Sequence, residues 1–395
     1  MLGKAPRETP ASGRSTAAAL RSLVALFLTG EGVERARAAS DAVPHSALVE
    51  LAHGHRLGPV VASLGTGPLG WDPDRTAPFR SGSTDALVLH VLTLSTCRWL
   101  AQVLGDAGIP FAVIKGPVLS ELAYPRPDLR PYGDLDVLVS RFGMRLAVEA
   151  LVAAGASLVD RNWPLATAQQ RAELSLRAPN GIALDLHWHL VNHPAERARF
   201  DLDSEAALDR RVERDLHGVL VPCLDDEDQL LHLALHAVLS GGHLLQWTLD
   251  VAGWVRERSP RPDVVGERAD RNGLRLVLQV MQRRVAHVVG HPLVELVAPG
   301  AGTWLAVVGA ADRARPPGRP VLGRHTWSPL LACTSASDAA SWRELARSRG
   351  ERRRLQATAT SPSLAELHQE VGGAGERDAY FRSVEQATGG ASRRP

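Results

Sequence analysis

The strongest constraint on the fold lies between Ile109 and Leu190, where helical spacing gives way to strict alternation. Side chains of a strand alternate between its faces. In Asp134-Leu-Asp-Val-Leu-Val139, Asp134 and Asp136 therefore share one face, and Leu135, Val137 and Val139 take the other. Ile182–Leu190 repeats the pattern, with Asp185, His187 and His189 on one face and Leu184, Leu186, Trp188 and Leu190 on the opposite one. The apolar faces belong on a core; the acidic faces do not. Carboxylates at i and i+2 stand about 6.5–7 Å apart at Cβ. Their oxygens can converge on hard cations about 3.5–4 Å apart, the separation used for in-line displacement at phosphorus. Two such acids repel each other without a cation, and a dication is their natural partner. With the second strand beside the first, Asp185 supplies a third carboxylate, placed to help deprotonate an attacking hydroxyl.

The surrounding pattern places this segment in a larger chain of 395 residues, enough for two or three domains. Upstream, Leu20, Leu23, Leu26 and Phe27 form one helical stripe and Leu48, Leu51 and Ala52 another. Residues 1–16 read as loose, and Gly65 to Ser83 as a long loop. A helix is expected over Thr84–Leu104, carrying Leu87, Val91, Leu94 and Leu100 and ended by Gly105. Phe111–Ile114 reads as a buried strand, Val118–Tyr124 as a short helix and Phe142–Ala154 as a longer one. Glu173–Ala178 and Ile182–Leu190 flank Pro179-Asn-Gly181, a strong hairpin signal. After Glu205 the spacing is helical again: Asp228–Ser240 and Leu244–Arg256 joined at Gly241-Gly242, then Leu274–Val289. Beyond Arg313 the composition drifts to Arg, Ser, Gly and Pro, with one helical stretch at Asp338–Arg347. The expected class is α+β, a small mixed β-sheet core at 106–204. It would lie between an N-terminal helical region (1–105) and a C-terminal helical domain (205–313), with a weakly structured tail at 314–395.

Composition narrows the function. A net charge of +2 and a pI near 8.6 point to no polymer partner and argue against nucleic acid. Cys97, Cys223 and Cys333 are odd in number and far apart, which suits a reducing compartment and no zinc spacing. No uninterrupted apolar run reaches the roughly 20 residues that span a bilayer. Arg21 breaks Ala17–Thr29 as a leader segment. A cytoplasmic protein without a membrane partner is the expectation. Of 45 basic side chains only Lys4 and Lys115 are lysine. Lys115 follows the apolar run Phe111–Ile114 and precedes Gly116-Pro117, where free N–H groups at a helix start favour phosphate oxygens. A compact ammonium retained in an arginine-writing chain suggests a role that a planar fork cannot fill.

The segments Val113-Ile-Lys-Gly-Pro-Val-Leu119, Leu129-Arg-Pro-Tyr-Gly-Asp-Leu-Asp-Val-Leu-Val139 and Leu184-Asp-Leu-His-Trp188 resemble the uncharacterised nucleotidyltransferase family of the polymerase-β-like superfamily. The likeness extends upstream to Leu48–Leu64 and downstream to Leu230–Trp254. It implies a mixed sheet whose Asp134, Asp136 and Asp185 are catalytic and hold two Mg²⁺ ions, with Mn²⁺ as an alternative. Lys115-Gly116 stands where the superfamily has a Gly-Ser phosphate loop, and the stretch from Gly116 to Asp134 is longer than usual. Arg130 could clamp a triphosphate; Gly133, Trp247 and Asp250 would complete the nucleotide site, with His187 behind the acids. His232 and His236 lack the Glu of a HExxH pattern and read as a packed pair. The implied reaction moves an NMP group from an NTP, ATP by abundance, to a hydroxyl or similar group of a small molecule or peptide, as in natural-product biosynthesis. A toxin-like enzyme acting on tRNA and a catalytically dead scaffold are the competing readings.

Overall fold

The computed structural model describes residues 10–292, 295–314, 318, 328–357 and 364–387. Its centre is a mixed seven-stranded sheet ordered β3-β4-β5-β2-β1-β7-β6. The strands are β1 (Phe111–Val113), β2 (Leu135–Val139), β3 (Ser157–Leu158), β4 (Glu173–Arg177), β5 (Ala183–His187), β6 (Val212–Leu216) and β7 (Val219–Cys223). β2 runs parallel to β5 and antiparallel to β1, so the two acid-bearing strands are direct neighbours. β4 and β5 form the hairpin expected across Pro179-Asn-Gly181, with Gly181 at φ 90°. The Asn180 amide docks that turn on the helix Ser83–Asp106 by donating to Leu92 O. The fold is α+β, as the alternation implied.

Helices cover both ends of the sheet. Asp225 caps Asp226–Leu239 by accepting from Asp228 N–H at 2.8 Å, and Gly241 and Gly242, both at positive φ, turn the chain into Leu245–Arg258. The second of these helices lies so close to Pro117–Leu122 that a Cβ on Gly253 would meet Ala123 O at 2.8 Å. The first helical stripe is buried as expected, and Pro10–Thr29 packs on Arg275–Val289. The N- and C-terminal helices thus form one layer.

Four expectations need correction. The sheet does not end near residue 192: β6 and β7 form a hairpin through His217-Gly218, both at positive φ, inside the stretch read as helical. A proline such as Pro222 is disfavoured inside a sheet, but β7 meets β1 only through Cys223, which leaves Pro222 clear of that ladder. Gly65 to Ser83 is not open loop, because Pro73–Thr76 and Ala77–Arg80 are helical turns anchored by fully buried Phe79 against Trp71. In Ser83–Asp106 the burial falls on His90, Thr93, Cys97, Leu100 and Leu104, while Leu87 and Val91 are exposed. That helix is also long and apolar enough to cross a membrane by length and composition alone. Finally, the helix at the N-terminus starts at Pro10, and Lys4 lies outside the described residues.

The tail beyond Arg313 also departs from expectation. Asp338–Ala357 and Ala374–Gln386 are helices, and the latter inserts Tyr380, Phe381 and Val384 into the core. Both aromatic rings lie within 6 Å of the Trp163 ring, with centroid distances of 5.7 and 5.9 Å. The polar composition hid three well-spaced apolar positions. Other parts of 315–395 lie outside the described residues. Phe381→Ala should therefore cost about 3–5 kcal/mol as a buried aromatic truncation. Chemical denaturation of the full chain checks this; an unchanged midpoint would show that the last helix is not part of the core.

Candidate functional site

Parallel pairing sets Asp136 of β2 directly against Asp185 of β5, one strand spacing of about 4.8 Å away. Asp134 immediately precedes β2 and is exposed, while Asp136 is buried. Antiparallel pairing then places Ser175 opposite Asp185 and Glu173 opposite His187. The face thus gathers Asp136, Asp185, His187, Glu173 and Ser175. Ser175 Oγ–H donates to Asp185 Oδ1 at 2.8 Å. His187 Nε2–H donates to Asp136 Oδ1 at 3.0 Å, and its Nδ1 lies 3.7 Å from Glu173 Oε2. His189 does not join them. It lies past the end of β5, and its Nδ1 accepts from Val191 N–H.

Lys115 arrives from the other side. The chain leaves β1 and turns sharply at Gly116 (φ 51°, ψ −116°), a conformation that suits glycine. A Cβ there would come 3.3 Å from Asp134 O, so the turn and the start of β2 are in close approach. Lys115 Nζ then lies 3.1 Å from Asp136 Oδ1. Gly133, by contrast, is exposed with open space around it. Pro117–Leu122 is only six residues long; Pro117 has no N–H, and Val118 and Ser120 N–H donate to Lys115 O and Gly116 O, so this helix start offers phosphate fewer free donors than the sequence suggested.

Arg130 and Asp250 are paired with each other. Arg130 donates from Nε and Nη2 to the two oxygens of Asp250, at 2.8 and 3.0 Å, and Tyr124 O–H donates to Asp250 Oδ1 at 2.7 Å. All three side chains are buried. Breaking one partner of such a pair costs about 3–5 kcal/mol, more than a triphosphate clamp could recover from a guanidinium already committed. The pair fastens the helix Leu245–Arg258 to the loop that feeds β2. Lys115, Arg130, Leu233, His236, Trp247 and Asp250 do line one cavity, but it is small, about 20 Å³. Half-buried Trp247 sits edge-on to His236, with ring centroids 5.4 Å apart.

Residues 41–290 match the family described as uncharacterised nucleotidyltransferase. The chain belongs to that family. It is a nucleotidyltransferase, a transferase of nucleotidyl groups. Comparison with curated proteins finds no match. The match takes in both acid-bearing strands, the Lys115 turn and the helices that cover them.

The nucleotidyltransferase holds its acids in unequal states. Burial alone would raise Asp136, but the Lys115 ammonium and the His187 hydrogen bond hold it well below the usual carboxylate range. Burial, Glu173 and Asp136 push Asp185 up to about 6. Although Asp134 is exposed as a residue, partial loss of water around its carboxyl and the Asp136 charge also raise it. Lys115 is placed on Asp136 and Arg171 on Glu173, which leaves Asp185 without a salt-bridge partner among the described residues. Among the described residues, no three His, Cys, Asp or Glu side chains converge as a ready-made metal site. The donor chemistry nevertheless suits a hard cation: no described group hydrogen-bonds to Asp134 or to the second oxygen of Asp136, and Asp185 is under-compensated.

Sequence reasoning passed over Glu173 and Ser175, although their alternation with Leu174 and Leu176 put them on the acidic face. It also set aside His232, whose two ring nitrogens are buried without a hydrogen-bond partner among the described residues. Burial and nearby Lys115 push His232 down to about 3, so it faces the site as a neutral ring.

The raised Asp185 gives a stability prediction. A carboxyl whose folded-state pKa is raised opposes folding once it ionises. The penalty is absent below the unfolded value near 3.9 and grows as pH rises through about 6. Asp185→Asn should therefore be more stable than the wild type near pH 8 by up to about 3 kcal/mol, with the gap closing toward pH 4. Urea unfolding with chelator present measures both proteins. A constant gap across that range would show that Asp185 is not held in a crowded acidic site.

Proposed function

We propose that this nucleotidyltransferase moves an NMP group from an NTP to a hydroxyl or similar group of a small molecule or peptide, with Mg²⁺ or Mn²⁺ held by Asp134, Asp136 and Asp185. The observation that carries the reading is the in-register pairing of Asp136 and Asp185 on adjacent parallel strands, with Lys115 on the Asp136 carboxylate. When bound, the metal ions would neutralise phosphate charge and lower the pKa of the attacking hydroxyl.

The chain's own groups supply the rest. Lys115, on a flexible stem at the edge of the cavity beside Trp247, exchanges Asp136 for a donor phosphate oxygen. His187, held between Asp136 and Glu173, keeps the Asp136 carboxylate in one orientation. Asp185, in register with Asp136 and oriented by the Ser175 hydroxyl, is placed to take the proton of an acceptor hydroxyl. The acceptor oxygen attacks the α-phosphorus as its proton passes to Asp185, the bond to the β-phosphate oxygen breaks, and pyrophosphate leaves. The acceptor's proposed setting is a biosynthetic reaction in the cytoplasm, with ATP as the first donor to try.

Following label from each α-labelled NTP into a cell extract tests the reading. Asp134→Asn should abolish transfer without loss of fold, because Asp134 is exposed and has no protein partner among the described residues. Near-normal turnover in that variant would remove the proposed metal site. Lys115→Arg should lose about tenfold or more in NTP affinity, close to Lys115→Ala, because a guanidinium needs room for its fork and the adjoining cavity is about 20 Å³. Wild-type binding by Lys115→Arg would show that position 115 needs only a positive charge.

A further inference from the structure

A second cavity lies away from Lys115 and the site just described. Its accessible volume is about 410 Å³, within the range of small-molecule sites. It opens between the last helix, Ala374–Gln386, and the ends of β4 and β5. Two arginines line it, Arg171 and Arg197, and no carboxylate does. Both are more than nine-tenths buried, at 7% and 8% exposure.

Arg197 carries its charge without a counter-ion. Its guanidinium donates to the carbonyl oxygens of Val191, Asn192 and Gln170, stacks over Trp188 at 4.6 Å, and forms no ion pair among the described residues. Burial pulls it down to about 10. Arg171 pairs with Glu173 through Nη2, which leaves its buried Nε without a partner among the described residues. The Tyr380 hydroxyl is buried on the same wall and makes no hydrogen bond there either. Trp188 lies beside it, but the indole N–H is already donated to Arg171 O. Buried donors left unmade are costly, and here they accumulate around one roomy cavity. Trp188, Pro194, Val384 and Ala387 supply apolar wall.

We infer that this cavity is a binding site for a small organic anion, its carboxylate or phosphate held by Arg197, Arg171 and the Tyr380 hydroxyl. An anion on Arg171 competes with Glu173, the group that faces His187, so occupancy is felt at Asp136 through side chains in contact. The site stands whether or not the proposed transfer reaction does, since its test reads binding alone.

Isothermal titration of the full chain with benzoate and with inorganic phosphate provides that test and separates the two anion classes. One equivalent of at least one probe should bind. Gln386→Glu, an isosteric change at an exposed lining residue that adds a negative charge, should weaken binding about tenfold or more. Arg197→Gln should abolish it. If Arg197→Gln does not fold, Gln386→Glu still decides. Lys115→Ala should bind as the wild type does. No binding of either probe, wild-type affinity in Gln386→Glu, or loss of binding in Lys115→Ala would each overturn the assignment, the last by placing the anion at the transfer site.

Discussion

Asp136 can keep its charge in a buried position because two donors share one of its oxygens, Lys115 Nζ at 3.1 Å and His187 Nε2 at 3.0 Å. Much of the surrounding architecture serves this cluster. β2 must pair with β5 in parallel to bring His187 and Asp185 alongside. β1 must end in a glycine turn tight enough to bring Lys115 back over β2. A buried pair of this kind contributes little net stability, since desolvation offsets most of the Coulomb gain. In the function proposed above, the pair matters because a lysine held on a carboxylate is available for a phosphate oxygen.

A second buried cluster braces the fold beside it. Arg130, Asp250 and Tyr124 satisfy one another and join the covering helix to the loop before β2. Gln246 Nε2–H donating to Pro131 O, and Gln229 Nε2–H donating to Ile114 O, add two more ties between the covering helices and the strands. These contacts lie around the site, and the Lys115–Asp136 pair lies in it.

The acidic face was legible because period-two alternation needs no tertiary information. Asp136, Asp185 and His187 could be placed from their spacing alone, and the Asn180-Gly181 turn fixed the hairpin. Lys115 stood out because the chain otherwise writes arginine. The same reasoning did not see that Arg130 and Asp250 pair, since a buried ion pair between residues 120 positions apart leaves no local signature. His189 was misread because alternation stops where β5 stops. The β6–β7 hairpin and the last helix were hidden by a proline and by polar composition, and only packing against the sheet and Trp163 decides their conformation.

A crystal structure with Mg²⁺ and a non-hydrolysable NTP tests the central claim most directly. Metal density should touch Asp136 and Asp185, and Lys115 Nζ should have left Asp136 for a phosphate oxygen. Nucleotide bound elsewhere, with Lys115 still on Asp136 and no metal on the acids, would contradict the account.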